Sequence, residues 1–143
     1  MDVVIKDDFA ETRRLWWSFS RPMEGGKNAT AVATSVLSDD KSRLTSVDVI
    51  FTQQPAWRSS SHFGSRLAQD VGTHLGKVLR IDPVGGPAVG NIEIAGGLPE
   101  VWSYGHRNIQ SAGIGPDGAL WTVEHGLRGG DELNRPKPGA NYG

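Results

Sequence analysis

This chain changes direction too often to support a long helix. It carries 19 glycines and 8 prolines in 143 residues, and each favours a turn or removes a backbone donor. Between these residues the apolar positions recur at period two. Residues 14–20 (RLWWSFS) form a short aromatic run that the turn residues 21–28 (RPMEGGKN) close. Residues 29–37 (ATAVATSVL) alternate small polar with apolar side chains, and residues 38–41 (SDDK) make a turn before 44–51 (LTSVDVIF). Three such runs in succession predict a meander of short strands, and an all-β chain.

The rhythm breaks between residues 52 and 76, a polar, Pro-containing stretch with no clean period. It resumes at 77–81 (KVLRI), 99–104 (PEVWSY) and 119–124 (ALWTVE). Leu15-Trp16 and Leu120-Trp121 echo one another across 105 residues. Propeller blades repeat every ~40 to 45 residues, so this spacing is about two and a half blades. The domain reading is an N-terminal extension over 1–13 and one all-β domain over 14–143.

Charge excludes several partners. With 15 basic and 16 acidic residues the formal charge is −1, which leaves no surplus to attract nucleic acid or an anionic membrane. No window reaches the ~20 apolar residues of a membrane helix. The stretch from Met1 to Asp8 has neither the basic start nor the apolar run of a secretory signal. The chain has no cysteine, so disulfides, thiolate metal sites and cysteine nucleophiles are excluded while the compartment stays open.

Four ordered blocks carry a family signature. They are 61–67 (SHFGSRL), 102–110 (WSYGHRNIQ), 124–134 (EHGLRGGDELN) and 138–143 (PGANYG). Together they resemble the soluble aldose sugar dehydrogenases, relatives of the glucose and sorbosone dehydrogenases that use pyrroloquinoline quinone. The stretch from 14 to 54, including 37–40 (LSDD) and 49–54 (VIFTQQ), is similar to the same family in the same order, so the resemblance covers most residues after about Thr12. It implies a partial β-propeller, about two to three blades of a six-bladed fold, in a chain less than half the family's usual length. The family also continues from this His-Phe-Gly-Ser-Arg-Leu motif through a turn and a strand, whereas here Leu67 abuts Ala68-Gln69-Asp70. That is an internal deletion of about half a blade, in keeping with the fractional spacing of the two Leu-Trp pairs. A periplasmic or secreted location comes with the resemblance.

Oxidising an aldose at its anomeric carbon removes a hydroxyl proton while a hydride leaves, so the site needs a base that titrates near neutrality. The resemblance assigns that role to His62, with Asp131 orienting or activating it. A tricarboxylate quinone calls for fixed positive charge, and the family's cofactor-contacting arginine matches Arg107, with Asn108 beside it. Calcium takes oxygen ligands, including turn carbonyls, and the resemblance places it on the carbonyls of Gly126 and Leu127. Most family members have proline where Leu127 stands, so a preset turn dihedral is lost. His106 and His125 read as loop residues, since no third ligand stands at metal-site spacing.

Two functions follow. One is an enzyme that passes hydride from an aldose to the quinone, and its electrons on to an acceptor the sequence does not name. The other is a non-catalytic propeller fragment whose exposed strand edges drive self-association into a homo-oligomer.

Overall fold

The computed structural model describes residues 3–58, 65–126 and 129–143. The chain separates into two compact units, Met1–Ser59 with Pro83–Gly86, and Ser60–Asp82 with Pro87–Gly143. Among the described residues the regular secondary structure is mostly strand, joined by turns and loops, as the turn-rich composition predicts.

The first unit is a four-stranded antiparallel sheet in the order β1-β2-β3-β4, made of Val3–Ile5, Arg14–Met23, Lys27–Leu37 and Leu44–Thr52. The expected meander is present as β2, β3 and β4. Its first hairpin is longer than the apolar pattern, pairing from Arg14↔Val36 to Met23↔Lys27. The extra length comes from a single 3-10 turn at Glu24–Gly26, where Gly25 and Gly26 have φ of 69° and 70°. Such angles suit glycine, so the ladder runs on to the loop. The sequence reading set residues 1–13 apart, yet β1 pairs with β2 and Phe9–Thr12 forms one turn of helix, α1. Three residues are too few for a period to register.

The centre of this sheet is small. Ala29, Ala31, Ala33 and Ser35 share one parity of β3 and are all buried, and a buried methyl contributes about 0.8 kcal/mol. The Ser35 hydroxyl donates to the Thr45 carbonyl, and the Thr45 hydroxyl to the Val36 carbonyl. The β3–β4 edge is thus pinned by side chains where its register shifts.

The second unit holds a short helix, α2 (Ser65–Gln69), and two antiparallel sheets. One is β5 (Lys77–Leu79) with β6 (Val101–Tyr104), and the other is β7 (Ile109–Ile114), β8 (Leu120–Glu124) and β9 (Glu132–Asn134). β8 inverts the usual rule for a half-buried strand. Thr122 and Glu124 face in, while Trp121, 36% exposed, and Val123, 41% exposed, face out. No helix among the described residues is long and apolar enough to cross a membrane.

Candidate functional site

The residues with chemistry gather where the loop between β6 and β7 meets the turn between β8 and β9. That turn closes on itself: a Cβ on Gly126 would overlap the Gly130 carbonyl, so only glycine fits position 126. On the other side of the site, Gly105 begins a four-residue stretch with no strand pairing of its own, and Arg107 is its third residue.

Arg107 spans the gap. Its backbone N–H donates to Glu124 Oε2 at 3.0 Å. Its guanidinium Nη1 donates to the carbonyls of His125 at 2.9 Å and Gly126 at 2.7 Å. Asp131 grips the same two residues from the far end of the turn, with Oδ2 at 3.2 Å from His125 Nδ1 and Oδ1 accepting from the Gly126 N–H at 3.2 Å. The His125 hydrogen bond, followed by the Gly126 N–H, holds the Asp131 carboxyl below its ordinary range. Asn108 joins through its carbonyl, which accepts from the His125 N–H at 3.1 Å, while its side-chain oxygen accepts from Gln110 at 2.8 Å.

Four of the six residues expected at the site, Arg107, Asn108, Gly126 and Asp131, are therefore bonded into one cluster. His62 and Leu127 lie outside the described residues. The helix that follows residue 62 is nevertheless tied to the Arg107 loop, because the Gly105 N–H donates to the Ala68 carbonyl at 2.9 Å.

Behind this cluster lies a polar core that sequence reasoning missed. His106, read as a loop residue, does stand in a loop, but it is only 1% exposed. Its Nε2 is 2.8 Å from the Ser103 hydroxyl, its Nδ1 is 3.4 Å from Glu124 Oε1, and its ring stacks on Tyr142 at 4.8 Å. Burial lowers its pKa, against the pull of the Glu124 carboxylate, so near neutral pH the imidazole carries no charge. Glu124, 2% exposed, accepts also from Asn134 Nδ2 at 2.9 Å. Nothing in the apolar pattern signals this, since Trp121 and Val123 claim the parity that normally faces inward.

The donor set suits one expected group better than the other. A guanidinium beside a side-chain amide on a partly exposed loop fits a ligand rich in carboxylates and carbonyls. Calcium does not fit the Gly126 oxygen as arranged, because the Arg107 guanidinium already holds that acceptor, and a second cation there meets like charge. Among the described residues no three His, Asp or Glu side chains could hold a metal. A groove of about 650 Å³ in the same unit, with Val78, Trp102, Leu120 and Pro136 in its lining, contains none of the four expected residues that are described.

Comparison with known proteins identifies the family and the fold. The family profile described as Glucose / Sorbosone dehydrogenase matches residues 1–68 and 66–143, two pieces that meet where the sequence suggests a deletion. The aldose sugar dehydrogenase YliI of Escherichia coli is 40% identical over 166 aligned positions, which take in all of this chain and 45% of that protein. Because 166 positions exceed 143 residues, the relative carries residues that this chain lacks inside the alignment. Among solved structures, a glucose dehydrogenase superposes with a TM-score of 0.91 at 43% identity, over 99% of this chain and 48% of its own. The PQQ-bound aldose sugar dehydrogenase of Streptomyces coelicolor gives 0.74 at 27% identity, over 99% and 46%. The sheets are thus those of the glucose dehydrogenase fold, in keeping with the partial propeller expected, and the chain spans less than half the length of these relatives.

Proposed function

Because this chain belongs to the glucose/sorbosone dehydrogenase family, we propose that it carries one wall of a site for oxidising aldoses at the anomeric carbon with pyrroloquinoline quinone as cofactor. The observation that supports this reading most is the Arg107 bridge to the carbonyls of His125 and Gly126, with Asp131 holding both residues from behind. A fixed, preorganised cation is what the anionic cofactor and its reducible carbonyl require.

When bound, the quinone would supply the two-electron acceptor for a hydride from the anomeric carbon, with a further acceptor needed to reoxidise it. His62 removes the proton of the anomeric hydroxyl, and Arg107 and Asn108 bind and orient the cofactor's oxygens. Asp131 keeps the His125–Gly126 turn in place and orients His62. Calcium belongs to this reading only where Arg107 has turned away from the Gly126 oxygen. The periplasmic or secreted location of the family is part of the same proposal.

The test mixes the purified chain with pyrroloquinoline quinone, with and without calcium, and follows cofactor absorbance and glucose-dependent dye reduction. A spectral change that saturates, and that weakens at least tenfold in Arg107→Ala, is the expected result; each tenfold corresponds to about 1.4 kcal/mol. An unchanged spectrum overturns the proposal.

A second reading rests on a different observation. Trp121, Val123 and Leu133 form an apolar strip on the outward face of the β7–β8–β9 sheet, with Leu133 directly paired to Val123. A fragment presenting such a strip binds another copy of itself. Quinone binding without sugar turnover, in a chain that associates, favours this reading.

A further inference from the structure

We propose that Glu124 is a positioning residue for Arg107, setting by one buried carboxylate both the path of the Arg107 backbone and the reach of its guanidinium. The part of this inference that concerns the cofactor rests on the proposed function; the part that concerns Arg107 stands on geometry alone.

Arg107 sits where the chain has left β6 and not yet entered β7, so its N–H lies outside both strands. A partly buried backbone donor must be satisfied locally, and Glu124 Oε2 does so at 3.0 Å. The segment that begins with this same glutamate supplies the next two carbonyls, at His125 and Gly126, to the Arg107 side chain. Residue 107 is therefore bonded to residues 124, 125 and 126 in order, once through its backbone and twice through its guanidinium.

The carboxylate is held in turn. Oε1 accepts from Asn134 Nδ2 at 2.9 Å, which bridges β8 to β9, and faces His106 Nδ1 at 3.4 Å. His106 is locked by Ser103 and by stacking on Tyr142. A buried carboxylate needs such partners to stay in place, and their geometry leaves Oε2 aimed at the Arg107 N–H. Two carboxylate oxygens serve two separate donors, so a neutral amide with one acceptor cannot replace it.

The test compares Glu124→Gln with Ser35→Ala, which lies in the first unit and loses the bond to the Thr45 carbonyl. Both remove a buried hydrogen bond, but only the first touches Arg107. Hydrogen exchange at the Arg107 amide, read against global stability, should speed up about tenfold or more in Glu124→Gln and stay within about twofold of the parent in Ser35→Ala. Quinone affinity, read from absorbance, should fall about tenfold in the first variant only. Equal Arg107 exchange in parent and Glu124→Gln overturns the inference whether or not the cofactor binds. Faster exchange with unchanged quinone affinity overturns the cofactor part of the inference and leaves the structural part standing. A parent chain that binds no quinone sinks the proposed function, and the exchange measurement alone then decides the role of Glu124.

Discussion

Gln69 and Asn141, 72 residues apart in sequence, exchange amide hydrogen bonds in both directions at 3.0 and 2.8 Å. This reciprocal pair ties α2, the helix that follows residue 62, to the segment beyond β9. A further bond, from the Gly105 N–H to the Ala68 carbonyl, ties the same helix to the Arg107 loop.

Replacing Asn141 with alanine removes both side-chain bonds and leaves the Gln69 amide to solvent. A pair at this exposure contributes about 1 kcal/mol, so Asn141→Ala should lower global stability by that amount. Amide exchange in α2 should rise more than in β8. Uniform exchange across the unit would mean that the helix is held by other contacts.

Gly105 is a harder constraint. Its φ is +85°, and a Cβ there would overlap Asn141 Oδ1 and come within 2.7 Å of the Gly143 nitrogen. Strain from the left-handed backbone adds to a clash with the Asn141 side chain and with the backbone nitrogens of Tyr142 and Gly143, so Gly105→Ala should cost on the order of 3 kcal/mol. Denaturant unfolding measures it. A loss no larger than that of Asn141→Ala would show that the segment after β9 moves aside freely.

These two positions show where sequence reading succeeds and where it stops. β2, β3, β4 and β8 were legible from their aromatic or β-branched alternation, and the shorter β5 and β6 fall within the segments 77–81 and 99–104 read as strands. β7 was not, because Gln110-Ser111-Ala112-Gly113 has no period at all, and its strand form comes from pairing with β8. At the site, Arg107, Asn108, Gly126 and Asp131 could be named from a motif, and the structure bonds them together. Glu124 and His106 could not, since burying a charge beside a neutral imidazole depends on Asn134, Ser103 and Tyr142, which arrive from β9, β6 and the segment after β9. Gln69 and Asn141 are ordinary loop amides until the fold joins them.

Lys77 gives a pH signature. Its Nζ donates to the carbonyls of Leu67 and Leu75, and burial pushes its pKa down to about 8, with Asp70 opposing. An unfolded lysine releases its proton near 10.4. Between these values the unfolded chain binds more protons than the folded one, so stability should rise as pH increases from about 8 to about 10.5. Lys77→Arg stays charged throughout and should flatten that rise. Urea unfolding of both proteins across this range checks it, and the same slope in the variant would remove Lys77 as the cause.

The outward face of β8 predicts how the chain behaves at high concentration. Leu133, 67% exposed, pairs with Val123 on the face that also carries Trp121, and β9 ends the sheet order next to them. An apolar strip beside an unpaired strand edge combines the two features that drive association between copies. Hydrophobic contact of this kind scales with the apolar area buried, whereas a lysine placed in the strip must be desolvated or must splay the contact apart. Val123→Lys should therefore shift the sedimentation profile toward monomer at concentrations where the parent associates. It should leave quinone binding unchanged, because the Val123 side chain points away from Glu124 and the Arg107 cluster. A parent chain that sediments as a monomer throughout would remove the strip as an interface and, with it, the observation that supports the self-associating fragment.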